Sequence, residues 1–286
     1  MTFLHVPFMA RALIVLLLLA LLAGPVGVLV MLRGVAFAAD TTAHAVFPGV
    51  AAGFVLAGEP GVLPGALAAA VLTATVFTAV SARVRADTGL AVLLTTMFSL
   101  GVVLVSQRQT YAADLTAFLF GRVLFTSATQ LTETAVLAAI VLSVLAVCWR
   151  PLVLIAFDPV TARAQGYRLR LLELLFNVVV ALVVVAGARA IGTLLVIALL
   201  IVPAATARLL SDRLRLIVPL ACVLAAVAAW AGLEVSYRAS ITYGWRLASG
   251  ATVVLTLVVF FLLAQAVHRL PLKSWTAHSQ FSKKGQ

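Results

Sequence analysis

Apolar runs long enough to cross a bilayer recur from one end of this 286-residue chain to the other. A spanning helix needs about 20 mostly apolar residues. Segments of that kind fall at 12–32, 35–57, 61–81, 89–106, 132–149, 171–188, 191–210, 214–235 and 247–268. Hydrocarbon offers no water to backbone N–H and C=O groups, so each run has to satisfy them internally, as a helix. Apolar residues make up 64% of the chain and charged residues 10%, with a mean hydropathy of +1.19. No soluble globular domain of this length is that apolar. The chain reads as an all-α, polytopic membrane protein with eight or nine transmembrane helices, organised as a single transmembrane domain over 1–286.

Arg11 and the apolar run after it resemble a signal peptide, but the apolar segments continue, so this one reads as a retained span. The formal net charge of +11 is what arginines at membrane boundaries produce, and it does not point to nucleic acid. Cys148 and Cys222 both fall in apolar segments and read as free thiols.

Orientation follows from the basic residues. All three lysines, Lys273, Lys283 and Lys284, lie in a polar tail at about 269–286, which should face the cytoplasm. Arg83 and Arg85, then Arg150, Arg163, Arg168 and Arg170, then Arg208, Arg213 and Arg215 mark three connections on that same side. Nine full spans put the N-terminus outside. A re-entrant second segment leaves eight and puts it inside.

That second segment carries the chain's main polar exception. It reads Asp40-Thr41-Thr42-Ala43-His44 and continues to Pro48-Gly49. Residues i and i+4 share a helix face, and a carboxylate beside an imidazole makes two good ligands for a divalent transition metal. Ionisable groups inside a bilayer are expensive and point to function. The alternative is that Asp40 and His44 only hydrogen-bond each other or a neighbouring helix.

Phe157-Asp158-Pro159 to Gln165-Gly166-Tyr167 encodes a short helix in the longest cytoplasmic connection. Asp158 is suited to the N-cap and Pro159 to the first helical position. Gly166 can end the helix in the left-handed conformation. A helix at about 158–166 lies flat at the interface or docks on a soluble subunit. In 191–208, Pro203 interrupts an apolar helix and small residues follow it, which allows close packing. Glu173 and Asn177 share a face; Glu173 is expected to pair with Arg168 or Arg170, and Arg189 to snorkel outward.

Together these stretches resemble the permease subunit of a metal-ion ABC importer of the zinc/manganese/iron family. The segment from Leu32-Arg33-Gly34 through Asp40, His44 and Pro48-Gly49 is similar to that family's first block. Phe118-Leu119-Phe120-Gly121 resembles its Leu-Phe-Gly block, and Phe157-Asp158-Pro159 to Gly166 its coupling-helix block. Gly192 to Arg208 and Ser249-Gly250-Ala251-Thr252 resemble two more, in family order. Ala39 and Ala248 stand where the family often has Gly and Pro, which touches local backbone geometry and removes no ligand.

The resemblance implies a homodimer with the pathway along its interface, where Asp40 and His44 of each copy hold a zinc or manganese ion as transported substrate. Iron and a chelated metal are further cargoes it admits. No cofactor is bound permanently. Phe157, Asp158, Pro159 and Gly166 would couple to a cytoplasmic ATP-binding subunit, and an extracellular solute-binding protein would deliver the metal. The chain has no phosphate-binding Gly-x-x-x-x-Gly-Lys motif and no His-Glu-x-x-His motif. It is therefore expected to be a non-catalytic subunit in the plasma membrane. A secondary cation transporter stays open as the other class, although no inverted repeat is evident.

Overall fold

The computed structural model describes residues 7–80, 86–106, 126–244 and 247–269, and the described residues hold helices and no strand. The Phe118–Gly121 block, Arg83, Arg85 and the tail beyond residue 269 lie outside them. The helices are α1 (Pro7–Leu32), α2 (Ala36–Ala57), α3 (Glu59–Val80), α4 (Ala86–Ser106), α5 (Ala128–Phe157), α6 (Pro159–Ala164), α7 (Leu169–Ile191), α8 (Thr193–Leu210), α9 (Leu214–Tyr243) and α10 (Ser249–Arg269). Seven of these, α1, α3, α5 and α7 to α10, are long and apolar enough to cross a membrane.

Helix ends follow local chemistry more than hydropathy. α5 starts at Ala128 because Ser127 and Gln130 form a capping box. The Gln130 N–H donates to the Ser127 hydroxyl at 3.1 Å, and the Ser127 N–H donates to the Gln130 side-chain carbonyl at 3.2 Å. Its other end runs past Arg150 and Pro151 through a second apolar stretch to Phe157. α9 likewise continues past residue 235 to Tyr243, with the Arg238 guanidinium donating to Glu234 at 2.5 Å one turn away.

α1 is the central helix: 67% of its apolar stretch is buried, against 22% for α5. It packs on α9, α8, α5 and α7. Among apolar helices in lipid, association depends on close van der Waals contact, and small residues permit it. A Cβ on Gly27 would fall 1.9 Å from the Leu200 carbonyl oxygen of α8, and one on Gly24 would fall 2.1 Å from Cys222 Sγ of α9. Both cysteines are free thiols.

α2 and α3 form an antiparallel hairpin, Gly49 and Gly53 of the first facing Gly65 and Gly61 of the second. α2 is unbroken for 22 residues despite Pro48. α4 packs mainly on α2. α7 and α8 are joined by Gly192 alone, at φ +87°. Gly187 and Val196 meet across this junction, so the chain turns sharply there.

Two polar clusters mark opposite ends of the bundle. At one end Arg33, just beyond α1, approaches Glu173 of α7 at 3.9 Å, and Asn177 of α7 donates to the Thr78 hydroxyl of α3 at 2.9 Å. At the other, Arg189 of α7 pairs with Glu133 of α5 at 2.5 Å, in a cleft that Leu63 of α3 also lines. Two sequence expectations are corrected here. Glu173 pairs with Arg33 and not with Arg168 or Arg170, because Arg33 is folded back over α7, 4.5 Å above the Phe176 ring. Arg189 does not snorkel outward, because Glu133 stands within reach.

Candidate metal-binding site

The first half of α2 is enclosed by its neighbours, except along one stripe. Ala38, Ala39, Thr41, Thr42, Ala43, Ala45, Val46, Phe47 and Pro48 are all buried. Phe37 is exposed, and Asp40 and His44 are partly so. Thr41 and Thr42 turn their hydroxyls onto the Phe37 and Ala38 carbonyls, at 2.9 and 2.7 Å. This satisfies them within the helix and leaves the stripe to the carboxylate and the imidazole.

His44 Nε2 stands 3.5 Å from Asp40 Oδ1. That is past the normal range of a hydrogen bond. Two ligands each about 2.1 Å from a tetrahedral metal stand about 3.4 Å apart, so the gap matches the bite of a shared ion. The two side chains are 18% and 32% exposed respectively, which lets a ligand reach them from outside the chain. Among the described residues no cluster of three or more His, Cys, Asp or Glu exists. The pair thus offers a carboxylate and an imidazole side by side on the partly exposed stripe of α2.

Pro48 lies one turn beyond His44 and has no N–H for the His44 carbonyl, so α2 lacks that rung of its ladder. Phe98 of α4 lies against the imidazole, with ring centroids 5.4 Å apart and planes at 86°. Phe98 also meets Phe47 at 6.1 Å. Phe47 fits there because α4 carries Gly101, where a Cβ would come within 2.3 Å of its ring. His44 Nδ1 is buried with no hydrogen-bond partner.

Arg33 sits at the entry to α2. Burial pushes its pKa down from its ordinary value, and the Glu173 carboxylate opposes that. A guanidinium stays charged regardless, and one of its nitrogens, Nη1, is buried without a partner. In the sequence Arg33 stands out only as part of the Leu32-Arg33-Gly34 stretch. Its contact with Phe176 joins two segments distant in the chain, so no local pattern reveals it.

The short helix at Pro159–Ala164 has the predicted caps. Asp158 Oδ1 accepts from the Val160 and Thr161 N–H groups at 3.0 Å each, and the Thr161 hydroxyl donates to Oδ2. These contacts, the Thr161 hydroxyl first, hold the Asp158 carboxyl below its ordinary pKa. Gly166 takes φ +86°. The Tyr167 N–H reaches the Ala162 carbonyl at 3.1 Å and the Gly166 N–H the Arg163 carbonyl at 3.0 Å, which is a Schellman closure. Ala162 is fully buried, while Phe157 is 65% and Val160 78% exposed.

The chain matches the ABC 3 transport family over residues 5–268 and belongs to that family. It is 35% identical over 259 residues to the manganese transport system membrane protein MntC of Halalkalibacterium halodurans, covering 90% of this chain and 86% of that one. It is 34% identical over 259 residues to the manganese import system permease protein ScaB of Streptococcus parasanguinis, covering 90% and 89%. Among solved structures it resembles PsaBC from Streptococcus pneumoniae in complex with Fab. The TM-score there is 0.80 at 30% identity, over 92% of each chain.

Proposed function

We propose that this chain is the membrane permease subunit of an ATP-driven importer that carries a divalent transition metal ion, manganese or zinc, as its substrate. The observation that carries the reading is the Asp40–His44 pair, 3.5 Å apart on the open stripe of α2. Its similarity to permeases named for manganese import favours manganese as the first cargo to test. The chain is a transport subunit and not an enzyme; ATP hydrolysis belongs to a separate cytoplasmic subunit.

Two copies form the pathway. A two-fold axis beside the α2 stripe doubles each ligand, giving two carboxylates and two imidazoles around one ion. Such a set neutralises a dication and suits borderline metals. All nine long helices cross the bilayer, α2 and α4 included, with the N-terminus outside. α2 supports this by running the length of α3 without a break. The Arg33–Glu173 end then faces the cytoplasm, as does α6, and the exposed Val160 of α6 docks on the ATP-binding subunit together with Phe157 at the end of α5. An extracellular solute-binding protein delivers the ion at the Glu133–Arg189 end.

The test is uptake of radioactive manganese and zinc in cells expressing the chain with its ATP-binding subunit and binding protein, comparing wild type with Asp40→Ala and His44→Ala. Loss of uptake in both variants at equal membrane abundance is expected. Unchanged uptake in both removes the intramembrane site. Absence of uptake for either metal in wild type shifts the cargo to iron or a chelated metal.

A further inference from the structure

Metal-binding imidazoles are normally held by a hydrogen bond from the second ring nitrogen to a carboxylate, a backbone carbonyl or a water, which fixes the tautomer and the ring plane. In His44 no protein group of this chain takes that second bond. Nε2 faces Asp40, and Nδ1 is buried with no partner. What touches the ring instead is Phe98, edge to face, with centroids 5.4 Å apart and planes at 86°. Edge-to-face contacts of this kind set the relative orientation of the two rings.

We propose that Phe98 is the positioning residue of the metal site, holding the His44 imidazole by edge-to-face contact in the plane that aims Nε2 at Asp40. The inference rests on the metal-permease reading and extends it to α4. Phe98 is itself braced. Its ring leans on Phe47 at 6.1 Å, and Phe47 is admitted by the missing side chain at Gly101. Phe47 and His44 are neighbours on α2, and Phe98 sits against both.

Three consequences follow from this geometry. The contact that orients the ring comes from another helix, so His44 orientation depends on where α4 stands. Any displacement of α4 against α2 reaches the imidazole directly. Selectivity among metals with different preferred angles is then set partly by a residue that touches no metal. Phe98 has no donor or acceptor atom, and its effect acts wholly through His44.

The experiment uses the purified permease with its ATP-binding subunit. Manganese and zinc affinities are measured by competition with a fluorescent chelator, and the cobalt(II) d–d spectrum reports ligand geometry. The variants are Phe98→Leu, which keeps apolar bulk and removes the ring, Phe98→Tyr, which keeps the ring, and His44→Ala. We expect Phe98→Leu to weaken metal binding on the order of 10-fold, the lower end of the usual cost of losing an outer-sphere partner. It should also change the cobalt spectrum and the manganese-to-zinc ratio, with Phe98→Tyr close to wild type. Wild-type affinity and spectrum in Phe98→Leu, with His44→Ala inactive, would overturn the role of Phe98 and leave the metal site standing. Equal losses in Phe98→Leu and Phe98→Tyr with an unchanged cobalt spectrum would overturn it too, by reducing Phe98 to packing. Indifference of binding to His44→Ala would overturn both the site and this inference.

Discussion

Gly53 of α2 and Gly61 of α3 meet backbone to backbone: a Cβ on either would stand 2.1 Å from the carbonyl oxygen of the other. Gly49 and Gly65 repeat the contact one turn away, with a Cβ on Gly65 falling 2.2 Å from the Gly49 carbonyl. The obstructing atoms are backbone, so no rotamer change relieves the clash. The helix that carries Asp40 and His44 is thereby held against α3 in backbone contact.

Gly53→Ala or Gly61→Ala should therefore force α2 and α3 apart. The cost expected is about 1–3 kcal/mol, as for overpacking elsewhere. Thermal unfolding of the purified protein should show the loss, together with reduced metal uptake at equal membrane abundance. Wild-type stability in both variants would mean that the hairpin is looser than the backbone contact implies.

Glu133 and Arg189 tie α5 to α7, 27% and 14% exposed respectively. Removing one partner strands a charge in a low-dielectric site. Glu133→Gln should cost about 3 kcal/mol, the low end for a buried pair, since both groups keep some exposure. Arg189→Met should do the same. The double variant should lose much less than the sum of the two. Additive losses in a double-mutant thermal unfolding cycle would show that the pair has no coupling.

Much of this arrangement is legible in the sequence, and the reasons for the rest are physical. The apolar runs locate the helices because lipid forces every such run to close its own hydrogen bonds. The spacing of Asp40 and His44 places them on one face, because that follows from helical periodicity alone. Asp158, Pro159 and Gly166 announce the caps of α6 by residue type. Helix ends were legible only where a cap signals them: Ser127 and Gln130 mark the start of α5, but hydropathy counting passes over them. Long-range pairing was not legible. Nothing local to Arg189 names Glu133, nothing near Arg33 names Phe176, and Phe98 looks like any other lipid-facing aromatic until α4 is laid against α2.

Acidity should reach the short helix only at low pH. Asp158 has a folded-state pKa below its ordinary value of 3.8, set first by the Thr161 hydroxyl. A depressed carboxylate contributes stability that is fully present above its unfolded pKa and is lost as pH falls through the folded value. Protection of the Val160 and Thr161 amides against hydrogen exchange should thus be flat across neutral pH and fall only below that 3.8 reference. Asp158→Ala should show the reduced protection already at neutral pH. A loss of protection near neutrality in wild type would assign the titration to another group.

Coupling to the ATP-binding subunit should depend on Phe157 and Val160. Ala162 is fully buried and anchors α6 to the bundle, while Phe157 and Val160 are 65% and 78% exposed. In the same segment, Asp158 and the Gly166 closure are consumed in holding the helix together. Phe157, at the end of α5, and Val160, on α6, are therefore large apolar side chains free to enter a groove on a partner. Interface anchors of this type cost about 2 kcal/mol or more when truncated, roughly 30-fold in affinity. Val160→Asp and Phe157→Ala should weaken assembly by about that factor and abolish uptake. Intramembrane metal affinity should stay unchanged, because Asp40 and His44 lie on a different helix. Co-purification of the ATP-binding subunit, read beside chelator competition for metal, separates the two effects. Retained assembly and uptake in both variants would leave α6 as an interfacial helix with no docking role.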